Sequence, residues 1–533
     1  ERRRKTTYRI KNKKKKKMTE SSKLKSTDTN VTQGGTGFHS YTADETEAFA
    51  EFINGQLQSD DQLKNKLPLD KPEDLFDAVK DGVLLCKLVN KAKAGTIDER
   101  VMNIKDKLNP WQVSENHQLF INSAKSIGCQ VVNCGPNDLS AGTAHIVLGV
   151  VWQVIKIALL QDINLKEHPE LVRLLQDGET LEDLLKLPAE DLLIRWVNYH
   201  LANAESERRI SNFSSDIKDS EIYTILLNQI APNKECSKAP LEETEDMKNR
   251  AELMLKEADK INCREFITPR DVIKGNSKLN LAFTANLFNN YPALEEINEE
   301  DYDFADLLDL DGEGTREERA FRFWIQSLNI PYIDENYALQ NLYADLKDGI
   351  VLLHVLDHIV PGIVQWKRVK KDAKNKFQKV GNCNEYIRCA KEAGFSTVNC
   401  GGADILDGNK KLILGQTWQL MRLSVLELLK QVGGDLDNNQ KVDEKDLIIY
   451  INQKLNLNPA LTNFKDARFG KGKILCDLCA AVAPKSVDKD FITEGDSQED
   501  AEQNAKYAIS VARKLGGVVF LLWEDIVEVN SKM

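Results

Sequence analysis

The stretch FAEFINGQL (Phe49–Leu57) decides how this chain is read, because related stretches return three times. They are LIRWVNYHL (Leu193–Leu201), FRFWIQSL (Phe321–Leu328) and LIIYINQKL (Leu447–Leu455). The shared pattern is an apolar residue, two variable ones, an aromatic, Ile or Val, then Asn or Gln, closed by Leu. In the first copy Phe49, Phe52, Ile53 and Leu57 fall on one face of an amphipathic helix. A motif that recurs along a long chain marks repeated structural units.

Each copy is followed by the same succession. A turn opens a short apolar helix: DGVLLCKLVN from Asp81, DSEIYTILLN from Asp219, DGIVLLHVLD from Asp348 and KGKILCDLCA from Lys471. An amphipathic helix comes next, for example ENHQLFINSAKSIG or AEQNAKYAISVARKLG. Three copies then close with a strongly apolar helix, beginning near His145, Ser277 and Lys411, which should run buried through its domain. Thr42 with Glu45 and Thr315 with Glu318 read as capping boxes, and Pro188 suits a first helical turn. The fold expected is all-α, with four domains at 42–162, 188–295, 316–432 and 443–533. A polar, Gly-rich tail, 1–41, reads as disordered, and Leu294–Thr315 is an acidic linker.

Repeats one and three share more with each other than with the even repeats. Both carry Leu-Gly-x-x-Trp-Gln followed by a basic residue: Leu148, Gly149, Trp152, Gln153 and Lys156, against Leu414, Gly415, Trp418, Gln419 and Arg422. Repeat two has Ala285 at the Trp position. Duplication of a pair explains this, and it yields two tandem modules. Two binding modules in one chain make a cross-linker when each engages its target independently.

Composition narrows the class. Hydrophobic residues make up 41% and charged residues 29% of 533 residues, a soluble globular balance. No apolar run reaches the length of a membrane span. Ten scattered cysteines do not make a disulfide scaffold, and Cys476 and Cys479 read as core thiols, which places the chain in a reducing, cytosolic compartment. Residues 1–17 hold eleven Lys or Arg against one Glu. Such an arm suits nucleic acid or a membrane surface. It equally fits leader sequence ahead of a start at Met18, the reading adopted, so no nucleic-acid partner is expected.

These residues resemble calponin-homology domains, and the whole arrangement resembles the fimbrin (plastin) family, with two tandem pairs in one chain. The segments TIDERVMN, LNPWQVSENHQLFINSAKSIGCQVVNCGPNDL, EGTREERAFRFWIQSL and LILGQTWQLMR carry the likeness. The resemblance implies side-binding to F-actin and bundling by a monomer in the cytoplasmic actin cytoskeleton. It implies that the odd domain of each pair supplies most of the contact, through three segments. The first helix offers Glu51, Asn54 and Gln326. The closing helix offers Leu148, Trp152, Gln153, Lys156, Leu414, Trp418, Gln419 and Arg422. The stretch after the short helix offers Thr96, Arg100 and Lys105. The aromatics at helical spacing, Phe52, Trp152, Trp324 and Trp418, read as core before they read as contacts. The run KRVKKDAKNKFQK (Lys367–Lys379) holds seven basic residues and one acidic, with Lys367, Arg368, Lys370 and Lys371 at its head. It fits steering onto an acidic filament, a solvated loop, or a phosphoinositide site.

Other chemistry is missing from the sequence. The family usually carries calcium-binding EF-hands before the first domain, but Met18–Tyr41 has no D-x-D-x-D-G pattern. The loop Asp435–Asp446 has Gln440 where the turn glycine is needed, and Asp309–Ala320 has Ala at position twelve. No phosphate loop, zinc motif or nucleophile elbow is present, so neither an enzyme nor a metal or cofactor site is expected. A single-module filament binder that does not bundle, and a signalling scaffold, remain as alternatives. The end VNSKM aligns Met533 with Leu279 and Leu412, at the start of the closing helix, so the fourth repeat is expected to lack that helix.

Overall fold

The residue pair ahead of each short helix shows how local sequence builds the repeat. Gly82, Gly349 and Gly472 have φ of +81°, +76° and +68°, a region that glycine enters without steric cost. A Cβ on Gly82 would stand 2.8 Å from Asn116, and one on Gly472 2.8 Å from Asn504. The second domain places Ser220 there at φ +64°. These turns launch the helices Val83–Ala92, Glu221–Ile230, Ile350–Ile359 and Lys473–Val482.

The computed structural model describes residues 30–34, 37–41, 43–185, 187–296, 316–331, 333, 339–432 and 444–531. Around each short helix stand a first helix and a long helix: Ala43–Leu57 and Pro110–Ser126, Ala189–Asn203 and Met247–Lys260, Arg316–Ser327 and Lys376–Glu392, Glu444–Leu455 and Gln498–Lys514. Closing helices follow at Ala144–Leu160, Ser277–Asn290 and Lys410–Val432. The domains are helical, as the apolar spacing requires. The basic arm, Thr42, Thr315, most of the acidic linker, the loop from Asp435 to Asp443 and Met533 lie outside the described residues.

The Asn or Gln that ends the repeated motif is a clip. Asn54 Nδ2 donates to Leu69 O (3.1 Å) while Leu69 N–H donates to Asn54 Oδ1 (2.7 Å). Asn198 makes the same reciprocal pair with Ile210 (2.9 and 2.8 Å), and Asn452 with Leu461 (2.9 and 2.7 Å). Gln326 keeps the donor half, to Leu339 O at 3.0 Å. Each clip holds the chain that leaves the first helix. Replacing Asn54 or Asn452 with Ala strips a carbonyl and an N–H of partners at once, an expected loss of about 2 kcal/mol. Urea unfolding checks this, and an unchanged midpoint would reject the clip.

Two features depart from the sequence reading. Within the segment read as a disordered tail, Asn30–Gly34 (β1) and Gly37–Tyr41 (β2) pair as an antiparallel hairpin, Asn30 opposite Tyr41 and Gly34 opposite Gly37. Gly34 and Gly37, taken as a sign of disorder, pair at the ends of the two strands, and Val31, Thr32, Phe38 and Tyr41 suit strands. Pro188 sits at the N-cap, one residue ahead of the first turn.

The fourth domain differs from the others in what covers its first helix. Tyr450, at the repeat's aromatic position, is 48% exposed, whereas Trp196 and Trp324 are 0% and 6% exposed. The last described helix there is Trp523–Val527. Among the described residues, Leu447, Phe469, Leu475 and Ile526 line an open groove of about 340 Å³, walled on its other side by Trp418, Met421 and Val425 of the third domain.

Candidate functional site

The closing helices of the odd domains are turned inward. Leu148 and Trp152 are buried, and Trp152 stacks on Phe49 with ring centroids 5.9 Å apart. Leu414 and Trp418 are half-buried. Gln153 accepts from Gln130 N–H (3.4 Å), and Gln419 at the matching place accepts from Ser396 N–H (2.7 Å) and donates back to Ser396 O (3.0 Å). Lys156 pairs with Glu190, and Arg422 with Glu444 at 2.9 Å. Both acids stand at the start of the even domain's first helix, six residues ahead of its aromatic, Trp196 or Tyr450. The same ion pair therefore ties odd to even domain in both modules. Gln153, Lys156, Gln419 and Arg422, expected as filament contacts, thus also engage neighbouring loops and the even domains.

The first helices share that fate in part. Glu51 is exposed. Asn54 and Gln326 are the clips already described, and Gln326 is buried besides. Phe52, half-buried against the core, meets Phe266 of the second domain at 5.6 Å, and Asp44 meets Arg270 at 3.7 Å. In the third domain Phe323 lies over Gly128 of the first domain, whose Cβ would stand 2.8 Å away.

The stretch after the short helix is where the two modules part company. One buried side chain of the long helix shapes it in both. Asn116 donates to Asp81 O (2.9 Å) and Asn103 O (3.0 Å) and accepts from Asn103 N–H (2.9 Å). Asn382 does the same with the backbone of Lys370, at 3.0 and 2.8 Å. In the second module this stretch faces solvent: Lys367, Arg368, Lys370 and Lys371 are exposed. Lys371 lies 5.4 Å over the Trp366 ring, and Arg368 reaches Glu385 only at 3.9 Å.

In the first module the fourth domain covers it. Asp98 N–H donates to Ser510 Oγ (2.9 Å), and Arg100 donates to Gln503 O (3.1 Å) and packs on the rings of Phe491 and Tyr507. Val101 joins the fourth domain's core with Tyr507 and Val511. Thr96 O accepts from Arg513 (2.8 Å), and Lys514 donates to Val101 O (2.9 Å) and lies 3.4 Å from Glu115. Burial would raise the Glu115 carboxyl, but hydrogen bonds from Ser486 and Asn103 and the Lys514 charge outweigh it and hold it below its usual range. Burial costs the lysine more than this pair returns, so its ammonium is pushed down. Thr96 and Arg100 thus face a neighbouring domain, and of that group only Lys105 is exposed.

Two aromatics were not singled out from the sequence. Trp111 and Phe377 occupy the second position of the long helices Pro110–Ser126 and Lys376–Glu392, and they are 73% and 91% exposed. The even domains carry Lys248 and Glu499 there. The odd/even difference was the available signal, since an aromatic at a polar helix start satisfies no burial pattern. Lys105 and Lys107 precede Trp111, and Lys371, Lys374 and Lys376 precede Phe377.

Four helical repeats with the same succession of first, short and long helices, joined in pairs through one recurring ion pair, define an array of calponin-homology domains. The calponin homology domain model matches residues 43–159, 187–293, 315–425 and 441–533. The chain is 45% identical over 505 residues to fimbrin of Dictyostelium discoideum, spanning 93% of this chain and 79% of that one. It is 44% identical over 514 residues to plastin-3 of Homo sapiens, with 93% and 79% covered, and 43% identical over 515 residues to fimbrin-3 of Arabidopsis thaliana, with 96% and 71% covered. The crystal structure of the actin-crosslinking core of Schizosaccharomyces pombe fimbrin matches with a TM-score of 0.78 at 37% identity, covering 92% of this chain and 97% of that one. The chain belongs to the fimbrin/plastin family.

Proposed function

We propose that this chain binds the sides of actin filaments and cross-links them into bundles, acting as a single molecule with two calponin-homology modules in the cytoplasmic actin cytoskeleton. Its role is structural, not enzymatic. The observation that carries the reading is the duplicated module, in which Lys156–Glu190 and Arg422–Glu444 join odd to even domain at equivalent positions. The match to a fimbrin actin-crosslinking core along nearly the whole chain supports it.

The second module presents Lys367, Arg368, Lys370, Lys371 and Phe377 to an acidic filament. The first module uses Glu51, Lys105 and Trp111, with Thr96 and Arg100 added when the fourth domain releases them. A second reading has a specific observation behind it. The covered stretch Asp98–Val101 favours a chain that binds through one module until that contact opens. High-speed co-sedimentation of the full chain tests the shared core of both readings. The chain pellets with filaments and leaves the pellet as salt rises. A chain that stays in the supernatant at low salt would end both readings.

A further inference from the structure

Phe377 is 91% exposed, the most exposed of the large apolar side chains among the described residues. The backbone that carries it is fixed on both sides. Asn375 caps the long helix, accepting from Gln378 N–H at 3.0 Å, and Gln378 accepts from Lys374 N–H at 2.8 Å. Asn382 clamps the Lys370 backbone. The ring therefore projects into solvent from a set position.

Cations surround it. Lys367, Arg368, Lys370, Lys371, Lys374 and Lys376 are exposed on the same loop and first turn, and Asp372 is the one acid among residues 367–379. Lys376 reaches Asp407 at 3.5 Å, which brings the exposed Lys410 and Lys411, at the start of the closing helix, to the same face. The first module has a weaker version: Trp111 follows Lys105 and Lys107 with Asp106 between them, and its Nε1 donates to Glu115 at 3.2 Å.

A projecting ring among cations suits one kind of surface best. A protein partner would need a pocket placed to receive the ring. An anionic bilayer needs none, because headgroup charge and hydrocarbon are available at every point. We propose that this face of the third domain docks on an anionic lipid surface, with Phe377 entering the headgroup–acyl boundary and the lysines meeting lipid headgroups. Lysine stems lie along such a surface while their ammonium groups stay hydrated. Charge and apolar insertion act together there, since either signal alone holds a protein weakly. The same loop is the one offered above to a filament, so lipid and filament exclude each other at the second module.

Flotation of the full chain with vesicles tests this without actin, so its outcome is independent of the filament reading. The chain should float with mixed phosphatidylserine–phosphatidylcholine vesicles at low salt, lose them as salt rises, and ignore pure phosphatidylcholine vesicles. Phe377→Ala should weaken binding roughly tenfold, and Phe377→Leu should keep most of it. Lys370→Gln with Lys371→Gln should weaken it about 30-fold, at about fivefold for each cation near the anionic surface. Lys248→Gln with Lys256→Gln, two exposed lysines of the second domain, should leave it unchanged. These side chains are all exposed, so each variant should keep the parent's unfolding temperature. No flotation with the anionic vesicles, flotation that Phe377→Ala keeps in full, or equal loss in the second-domain control overturns the proposal. Flotation that none of the third-domain variants reduces would belong to the basic arm at residues 1–17, and overturns it too.

Discussion

Reversing the charge at Lys367, Lys370 and Lys371 is expected to weaken filament binding by the full chain on the order of 100-fold, taking roughly 1 kcal/mol for each pair formed with an acidic partner. The three lysines are exposed and stand together on the loop that Asn382 holds in shape through the Lys370 backbone. That clamp uses main-chain atoms of Lys370, so exchanging its side chain leaves the fold intact. The equivalent stretch of the first module is covered around Asp98–Val101 and leaves Lys105 and Lys107 exposed, so in the closed molecule it compensates only in part. High-speed co-sedimentation across a range of salt measures the effect. The variant should also show a shallower salt dependence, because fewer charges meet the filament. Unchanged affinity in a variant with the parent unfolding temperature would remove this loop from the binding surface.

Lys514→Glu should have the opposite consequence. Lys514 is 5% exposed and bridges the first and fourth domains through Val101 O and Glu115. The exchange leaves Val101 O without its donor and sets two carboxylates against each other. Breaking a buried pair of this kind costs about 3–5 kcal/mol. That weakens the hold of the fourth domain on the first, which otherwise rests on hydrogen bonds at Thr96, Asp98, Arg100 and Asn122, the Arg100 stacking, and Val101 packed with Tyr507 and Val511. Residues 96–103 then lose cover. Their amide hydrogens should exchange faster, and filament binding should tighten roughly tenfold for every 1.4 kcal/mol that the closed contact had withheld. Hydrogen exchange and co-sedimentation report the two halves separately. Unchanged exchange over residues 96–103 would show that the contact does not hold the modules together. Faster exchange without tighter binding would show that the covered stretch takes no part in filament contact.

The contrast between these two stretches was half visible in the sequence. Apolar spacing identified the repeat and its closing helices, because burial of one helix face imposes a period, and the shared Leu-Gly-x-x-Trp-Gln identified the odd/even pairing. The closing helix of the third domain is buried only in part, with Val425 and Leu428 exposed. Polar tips carry no such period. Asn54 sits where a helix turns to solvent, yet its amide is spent on a backbone fifteen residues away. Lys156 and Arg422 read as basic surface groups for the same reason, since nothing local marks Glu190 or Glu444 as their partners. The cover over Asp98–Val101 joins Asp98 to a residue 412 positions distant. Ser510, Arg513 and Lys514 look like the solvated side of an amphipathic helix, and only the packing of the fourth domain on the first makes them interior. The strand pair Asn30–Gly34 and Gly37–Tyr41 was hidden by its glycines, which suit ordered and disordered segments alike.

The central claim is that two equivalent modules in one chain join two filaments, and sedimentation of filaments at low centrifugal speed tests it most directly. Single filaments remain in the supernatant there and bundles pellet. With the full chain at saturation, the account predicts that most of the actin pellets at low speed. Filaments that stay in the low-speed supernatant, while the chain pellets with them at high speed, would contradict it and leave a side-binder with one working module.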